Sequence, residues 1–290
     1  MGLYYSALVQ GLLWSLMGIG LYITFRILRF ADLTSEASFT VGGAVAVTAL
    51  TNGLHPFVAL VLALLAGFVT GFVTGLLMTY FGIPSLLAGI ITLTAFYSLN
   101  LRIMGKANVS LRKTTTLYDL LQPFTKDSTW QILIMGIVIV GAVILLLGYF
   151  FSTDLGQAMV ATGDNEVMAE SLGISVNRMK LLALMGSNGI IALSGALIAQ
   201  QNGFADVTMG TGTVIIALAS IIIGEVMFKQ LSLVKRLAAI VLGAMGYRLL
   251  LVAVLQLGFE PSDFRLISAV ILAVFLALPT LKQKMAQRRG

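Results

Sequence analysis

The sequence predicts an all-α integral membrane protein, a polytopic bundle of about 8–10 transmembrane helices with two inverted repeats. Three observations carry that expectation. Only 10% of the 290 residues are charged, 58% are hydrophobic, and the mean hydropathy is +0.99. A soluble domain needs about 25% charged residues to cover its surface. Apolar runs close to the ~20 residues that cross a bilayer recur along the whole chain. Two stretches from the first third also reappear, in order, near the end.

Nine apolar runs qualify as spans, at roughly 3–25, 32–52, 57–80, 83–104, 130–151, 177–200, 208–228, 234–257 and 264–281. The runs 32–52 and 208–228 are rich in Gly, Thr and Ser, which predicts broken or partly re-entrant helices. The first run lacks a basic lead-in and is already of spanning length, so a cleavable signal peptide is not expected. Lys and Arg set the orientation. A cytoplasmic tail "LKQKMAQRRG" places Phe228–Arg236, Arg178/Lys180 and Arg26/Arg29 on the same side, eleven of the eighteen basic residues. Six others (Arg102, Lys106, Arg112, Lys113, Lys126 and Arg265) fall outside, mostly in the loop 105–129. The three inside clusters outweigh that loop. The net charge of +6 is thus read as a record of topology, with no nucleic-acid partner implied.

The repeat pairs "RFADLTSEASFTVGGAVAV" (Arg29–Val47) with "GFADVTMGTGTVIIALASI" (Gly203–Ile221), each opening on Phe-Ala-Asp-(Leu/Val)-Thr. Further on, "FGIPSLLAGIITLTAFY" (Phe81–Tyr97) resembles "LGFEPSDFRLISAVILAVF" (Leu257–Phe275), and the two offsets are 174 and 177 residues. With Phe30 inside and Phe204 outside, the halves (about 26–104 and 200–281) are inverted within a single transmembrane domain, 1–290. Compositional bias shared by two apolar stretches is the competing explanation. The stripe Gly67, Gly71, Gly75 and the pair Gly243, Gly246 are read as helix-packing seams rather than solute contacts.

One polar segment interrupts this apolar chain, "GQAMVATGDNEVMAESLGISVNRMK" (Gly156–Lys180), in the cytoplasmic region about 153–176. It reads as helix, turn, helix. Leu155–Ala161 is helical and Thr162-Gly163 is expected to break it. Asp164 or Asn165 then caps a second helix, with Glu166 in its first turn. Gly173 suits the left-handed position past the helix end. Val167, Met168 and Leu172 share a small apolar knob. So short a helix is marginal alone in water, which points to a docking element that transmits force to a soluble subunit. A merely polar loop with nascent helix is the alternative.

Ionisable and polar groups at membrane depth normally face a bundle interior or a water-filled path. Glu36, Asp206, Gln200 and Arg248 are the candidates for a translocation path. For Asp32 and its repeat mate Asp206 a cap or ion pair is the stronger expectation. Glu225 lies near the inner end of the seventh run. His55 is the sole histidine and has no second ligand nearby, so no metal site is expected. The absence of cysteine removes disulfides, thiolate metal sites and thiol nucleophiles.

The segment 156–180 resembles the cytoplasmic loop of ABC-importer permeases of the branched-chain amino acid and ribose type. "GLLWSLMGIGLYITFRILRFADLTSEASFTVGGAVAV" (Gly11–Val47) and "GALIAQQNGFADVTMGTGTVIIALASIIIGE" (Gly195–Glu225) resemble the same family, so the likeness touches about residues 10–280. The chain departs from the family pattern at Glu225, where many relatives carry a second glycine. Among its branches the amino-acid branch, including aromatic amino-acid importers, is the most similar. The resemblance implies a coupling helix built from Gly163, Asp164, Asn165, Glu166, Met168, Ala169, Leu172 and Gly173. It also implies two ATPase subunits that bind ATP and Mg2+, a second permease copy or homologue, and an extracytoplasmic substrate-binding protein in a bacterial cell membrane. The chain itself has no Gly-x4-Gly-Lys-(Ser/Thr) phosphate loop, since "MGKAN" (Met104–Asn108) lacks both the upstream glycine and the hydroxyl. It is expected to bind no cofactor and to be no enzyme.

Two other classes compete with that reading. A secondary transporter driven by a proton or sodium gradient would use Glu36 as its coupling carboxylate, but it has no need of the segment 156–175. An intramembrane enzyme would need HExxH or a nucleophile–histidine pair, and neither is present.

Overall fold

Apolar runs become helices because no backbone amide can stay unpaired where water is absent. The computed structural model describes residues 2–112, 114–228, 231–256, 263, 266–270 and 272–274. In order come α1 (Gly2–Tyr22), a π-turn at Ile23–Ile27, α2 (Thr34–Thr51), α3 (Pro56–Thr79) and α4 (Ser85–Met104). A loop follows with β1 (Asn108–Ser110) and a 3-10 turn at Tyr118–Leu121, then α5 (Ser128–Ser152), α6 (Asp154–Asp164) and α7 (Glu166–Ser171). The chain continues with α8 (Val176–Asn202), β2 (Phe204–Asp206), α9 (Thr213–Met227) and α10 (Leu233–Gln256).

Among the described residues, six helices are long and apolar enough to cross a bilayer: α1, α3, α4, α5, α8 and α10. The Gly/Thr-rich runs give α2, an unbroken helix of 18 residues where a broken one was expected, and α9. α9 has 15 residues, about 22 Å of helix and short of a ~30 Å hydrocarbon core. The residues before it, 203–212, form β2 and a series of turns. Eight of the nine expected spans are therefore helical. Of the ninth, 264–281, residues 266–270 and 272–274 are helical and the rest lies outside the described residues, as does the basic tail.

α8 is the central post. Its stretch 187–192 is buried throughout, and α1, α2 and α3 pack around it. Small residues permit the close approach. A Cβ on Gly67 or Gly71 would strike the carbonyl oxygens of Asn188 and Leu184, and one on Gly75 would strike the Leu181 side chain. On the other flank Gly42 lies against the backbone of Ala192, and Gly195 against the carbonyl of Phe39. The outward face of α3 carries exposed Phe57, Val61, Leu65, Val69 and Phe72.

Polar side chains join the same helices. Asn188 donates to Asp32 Oδ2 (2.9 Å) and accepts from Ser38 Oγ (2.6 Å), which also meets Thr70 Oγ1 (2.6 Å). A second chain runs Thr34–Thr74–Thr92 at 2.7 and 2.8 Å. These buried hydroxyls and amides tie α2 to α3, α4 and α8 at once.

At the opposite end from α6 and α7, β1 pairs antiparallel with β2, with Asn108↔Asp206 and Ser110↔Phe204. In the loop before α5, Leu111, Leu117 and Tyr118 pack inward. Gln200 Oε1 accepts the N–H of Leu117 (2.8 Å), and the buried Tyr118 hydroxyl donates to the Leu197 carbonyl (2.9 Å). Burial pushes the Tyr118 hydroxyl above its ordinary titration range.

The seam at α3 and α8 predicts a sharp steric contrast. Gly71→Val should lower stability by about 1–3 kcal/mol or more through forced separation of the helices. Gly246→Val, where the nearest atom to a new Cβ is Ile223 Cγ2 at 3.9 Å, should change it little. Thermal unfolding in detergent checks both, and equal melting temperatures would contradict the seam.

Candidate coupling surface and intramembrane polar sites

The polar segment forms two short helices, with their break at a different residue from the one expected. α6 runs through Thr162 and Gly163 to Asp164. Buried Thr162 donates its hydroxyl to the Ala158 carbonyl (2.8 Å), and Gly163 is required by space. A Cβ there would overlap the carbonyl oxygen of Ile27 in the π-turn. The break falls at Asn165, which is extended (φ −156°, ψ 107°) and accepts the Met168 N–H on Oδ1 at 3.0 Å. Asn165, not Asp164, is therefore the cap of α7. Gly173 has φ +80° and donates its N–H to Glu170, while Ile174 donates to Ala169. That is the Schellman arrangement, which closes the helix with glycine at the left-handed position.

α7 is seated by Ala169, 1% exposed, and presents Val167 (78%), Met168 (61%) and Leu172 (67%) outward. The expected apolar knob is real, and nothing among the described residues covers it. Its flanks are ionic: Lys180 Nζ meets Glu166 Oε2 at 2.7 Å and Arg29 Nη2 meets Asp164 Oδ1 at 2.8 Å. Exposed pairs of this kind contribute about 0–1 kcal/mol each, so they orient more than they stabilise. Arg29 is the only non-glycine residue with positive φ among the described residues (59°). The chain therefore leaves α1 through a π-turn and a left-handed residue, directly against Gly163 and Asp164. Arg26, within that turn, makes a two-pronged salt bridge to Glu225 near the end of α9. Arg26, Arg29 and Arg236 line one hollow with Glu225, so basic residues distant in sequence share an end of the molecule.

The other sequence candidates occupy separate contacts. Asp32 accepts the Thr34 N–H on Oδ1 (2.9 Å), and Asp206 accepts the Thr208 N–H on Oδ1 (2.8 Å). Both Phe-Ala-Asp-x-Thr strings thus make the same local turn. Burial opposes ionisation of Asp206, but hydrogen bonds from Thr208 and Asn108 prevail and hold its carboxyl below the usual range. Glu36 Oε1 accepts the N–H of Gly212 (2.8 Å), and Thr40 Oγ1 accepts that of Gly210 (3.1 Å). The first two turns of α2 therefore cap the start of α9 from outside. Arg248 lies over the Trp14 ring, 4.6 Å from its centroid, and donates to Gln10 Oε1 (3.4 Å), while its buried Nε has no partner among the described residues. Gln200 is 3% exposed and holds the loop at Leu117. His55 caps α3, its Nδ1 accepting the Phe57 N–H at 3.3 Å.

Sequence reasoning passed over Asn188, Ser38, Thr70 and the Arg26–Glu225 bridge. The available signal was the i, i+4 spacing of Thr34 with Ser38 and of Thr70 with Thr74, which puts hydroxyls on one helix face.

Residues 3–278 match the family model described as branched-chain amino acid transport system / permease component. A tyrosine transport system permease protein of Clostridioides difficile (strain R20291) is 40% identical over 272 residues, covering 94% of this chain and 90% of that protein. Among solved structures, PsaBC from Streptococcus pneumoniae in complex with Fab superposes with a TM-score of 0.51 at 18% identity, covering 94% of this chain and 89% of that one. An inward-facing ABC transporter assigned to the metal-chelate type gives 0.52 at 15% identity, covering 97% and 85%. At these identities the two structures speak for the fold alone. Six apolar helices and the family match agree, and the chain is a multi-pass membrane protein, the permease subunit of an ABC transporter, belonging to the family of branched-chain amino acid transport system permease components.

Proposed function

We propose that the chain forms part of the translocation path of an ATP-driven importer for an amino acid, and that α6 and α7 meet the ATPase. The observation that carries this reading is the knob of Val167, Met168 and Leu172, exposed on a helix held at both ends by its own caps. A short helix so fixed, yet uncovered by its own bundle, is built to enter another protein's groove. Asn165 and Gly173 set its pose, Glu166 and Ala169 seat it on the bundle, and Met168 and Leu172 supply the contact. Gly163 and Asp164 pass displacement on to the π-turn and Arg29. The 40% identity to a tyrosine transport permease supports an amino-acid solute, with aromatic ones first.

In this reading a second copy or homologue completes the path, and an extracytoplasmic binding protein delivers solute at the end that carries β1 and β2. ATP and Mg2+ are held by the ATPase subunits, and the permease binds no cofactor of its own. The end bearing Arg26, Arg29, Lys180 and Arg236 faces the cytoplasm of a bacterial cell, together with the C-terminus. The common turn at Asp32 and Asp206 supports two inverted halves, whose Gly/Thr-rich helices α2 and α9 meet at Glu36.

Three measurements bear on this. Purified chain in vesicles without ATPase should take up no amino acid under a proton or sodium gradient, and uptake should appear only with ATPase, binding protein and ATP. Robust gradient-driven uptake by the chain alone would replace the importer reading with a carrier.

Thiols introduced by Val167→Cys and by Ser110→Cys should react with impermeant reagent from opposite sides of intact cells, the first only from the cytoplasm. Reaction of both from one side removes the proposed orientation.

Leu172→Asp puts a charge into a desolvated contact, a loss of about 2 kcal/mol or more, or roughly thirtyfold in affinity. Gly173→Val forces a β-branched residue into left-handed backbone and loosens the end of α7. Both variants should insert normally yet lose co-purifying ATPase or the coupling of hydrolysis to uptake, while Lys126→Ala at the other end should not. Parent-like assembly and uptake in both would reduce the segment to a polar loop.

A further inference from the structure

A groove of about 690 Å³ lies between α5 on one side and α3 with α8 on the other, and α6 closes one end of it. α8 packs on α3, whereas α5 packs chiefly on α1, α6 and α10, so the two sets of helices part and leave this gap. Leu146 and Leu182, both exposed, stand at its rim. Every residue that lines it is Ile, Leu, Val, Ala, Phe, Met or Gly. A held water needs two to four polar partners, and no lining side chain offers one. Ions and the polar end of an amino acid are excluded for the same reason.

One glycine on the wall is unexplained by packing within the chain. Gly189 and Gly195 of α8 are required by space, since a Cβ would strike the Phe68 ring or the Phe39 carbonyl. Gly186 lies on the same helix and lines the groove, yet no atom comes within 4 Å of the place its Cβ would take. Glycine inside a helix is unfavourable relative to alanine. Room kept there serves something that the chain does not itself supply.

The dimensions say what fits. The groove runs from Val138 to Phe150 along α5 and from Leu182 to Leu193 along α8, about 16–18 Å at 1.5 Å per residue. Half of a ~30 Å hydrocarbon core is about 15 Å, so its length matches one leaflet. A helix of that length, 10–12 Å across, would fill roughly 1300–2000 Å³, far more than the groove holds. Two hydrocarbon chains, each about 4–5 Å across at van der Waals contact, need roughly 400–700 Å³. Exposed Arg178, one turn before Leu182, and exposed Asp154, beside Leu155, give the α6 end both signs of charge. A phospholipid headgroup matches that end, and a bare hydrocarbon solute does not.

We propose that this groove is a binding site for one membrane phospholipid, whose acyl chains lie along Gly186 between α5 and α8. Ile23 of the π-turn and Met159 of α6, both buried, form part of the wall, so the lipid touches the two elements that meet at Gly163.

The transporter with its ATPase is placed in phosphatidylethanolamine/phosphatidylglycerol vesicles with a trace of phosphatidylcholine that carries a diazirine at mid-chain. After irradiation, mass spectrometry maps the cross-linked residues. Residues 155–159 and 182–186 should be labelled about fivefold or more above Val69 and Phe72, which are exposed on the outer face of α3 near the depth of Gly186. Gly186→Phe fills the groove from α8 and, with open space at its Cβ, should fold; Ala142→Phe fills it from α5. Either should bring labelling of the groove down to about the level of α3. Even labelling of groove and α3, or parent-like labelling in both variants, overturns the site. The chain has no cysteine, so Leu146→Cys gives a single thiol at the rim. A disulfide between two copies on oxidation would place a second chain there and overturn the lipid site as well; none is expected. No readout depends on uptake, so the importer reading is decided separately.

Discussion

The hydrogen bond between Asn188 and Asp32 is the contact on which the rest of the bundle is organised. In hydrocarbon no water competes for an amide or a carboxyl group, so each buried polar group must find a protein partner. Asp32 uses one oxygen to hold the Thr34 N–H and the other to take the Asn188 amide, while Asn188 passes the chain on through Ser38 to Thr70. That single constellation places α2 against α8 and α3 in one register. Any slide along α8 would leave several of these groups without partners. The glycines of α3 are the steric half of the same arrangement, because the hydroxyl and amide groups meet only where the backbones come within close reach.

With α2 pinned in the centre, its ends become the places where movement can enter. At its entry the chain arrives from α1 through a π-turn and Arg29 in left-handed backbone, both departures from regular helix. π-turns of this kind gather at functional positions. Gly163 rests on Ile27 within that turn, and Asp164 holds Arg29. Within α2, Glu36 holds the first residues of α9, and the far end of α9 returns to the π-turn through Glu225 and Arg26. α6, the π-turn, α2 and α9 thus form a closed loop of contacts. A displacement of α6 reaches Glu36 along two routes, each built from packed backbone or a charged pair.

Much of this was legible in the residues, for reasons that differ from element to element. Span-length helices follow from apolar runs because lipid leaves the backbone few choices. Gly67, Gly71 and Gly75 could be read as a seam because i+4 spacing fixes their common face without knowledge of the partner. Gly173 was legible as a helix stop, since its cause is local. Gly163 was not. It looked like a breaker, yet it is helical, and its smallness is imposed by Ile27, well over a hundred residues earlier in the chain. Glu36 was singled out by its depth, but its partner Gly212 was not, because that pairing depends on two irregular segments meeting. The inward packing of the loop at Leu117 and Tyr118 was invisible for the same reason: its anchor, Gln200, was singled out as a candidate for the path, and nothing in the sequence pairs it with Leu117.

The intramembrane polar residues divide by what they still lack. Asp32, Asn188, Ser38 and Thr70 answer one another's bonding needs and behave as framework, however unusual they look in an apolar sequence. Among the described residues, Asn100 and Arg248 each keep a buried atom without a partner, as do Tyr5, Gln200 and Gln201. For Arg248 the ring of Trp14 supplies part of the missing interaction, since an indole face attracts a cation. Asn100 has no such substitute, and its oxygen borders a hollow beside α2 that also contains a carboxylate. A framework residue is selected for bonds it already makes, and a residue on a path for bonds it makes only in passing. By that criterion depth in the membrane alone does not mark the route of a solute; unmet bonding capacity beside open space does.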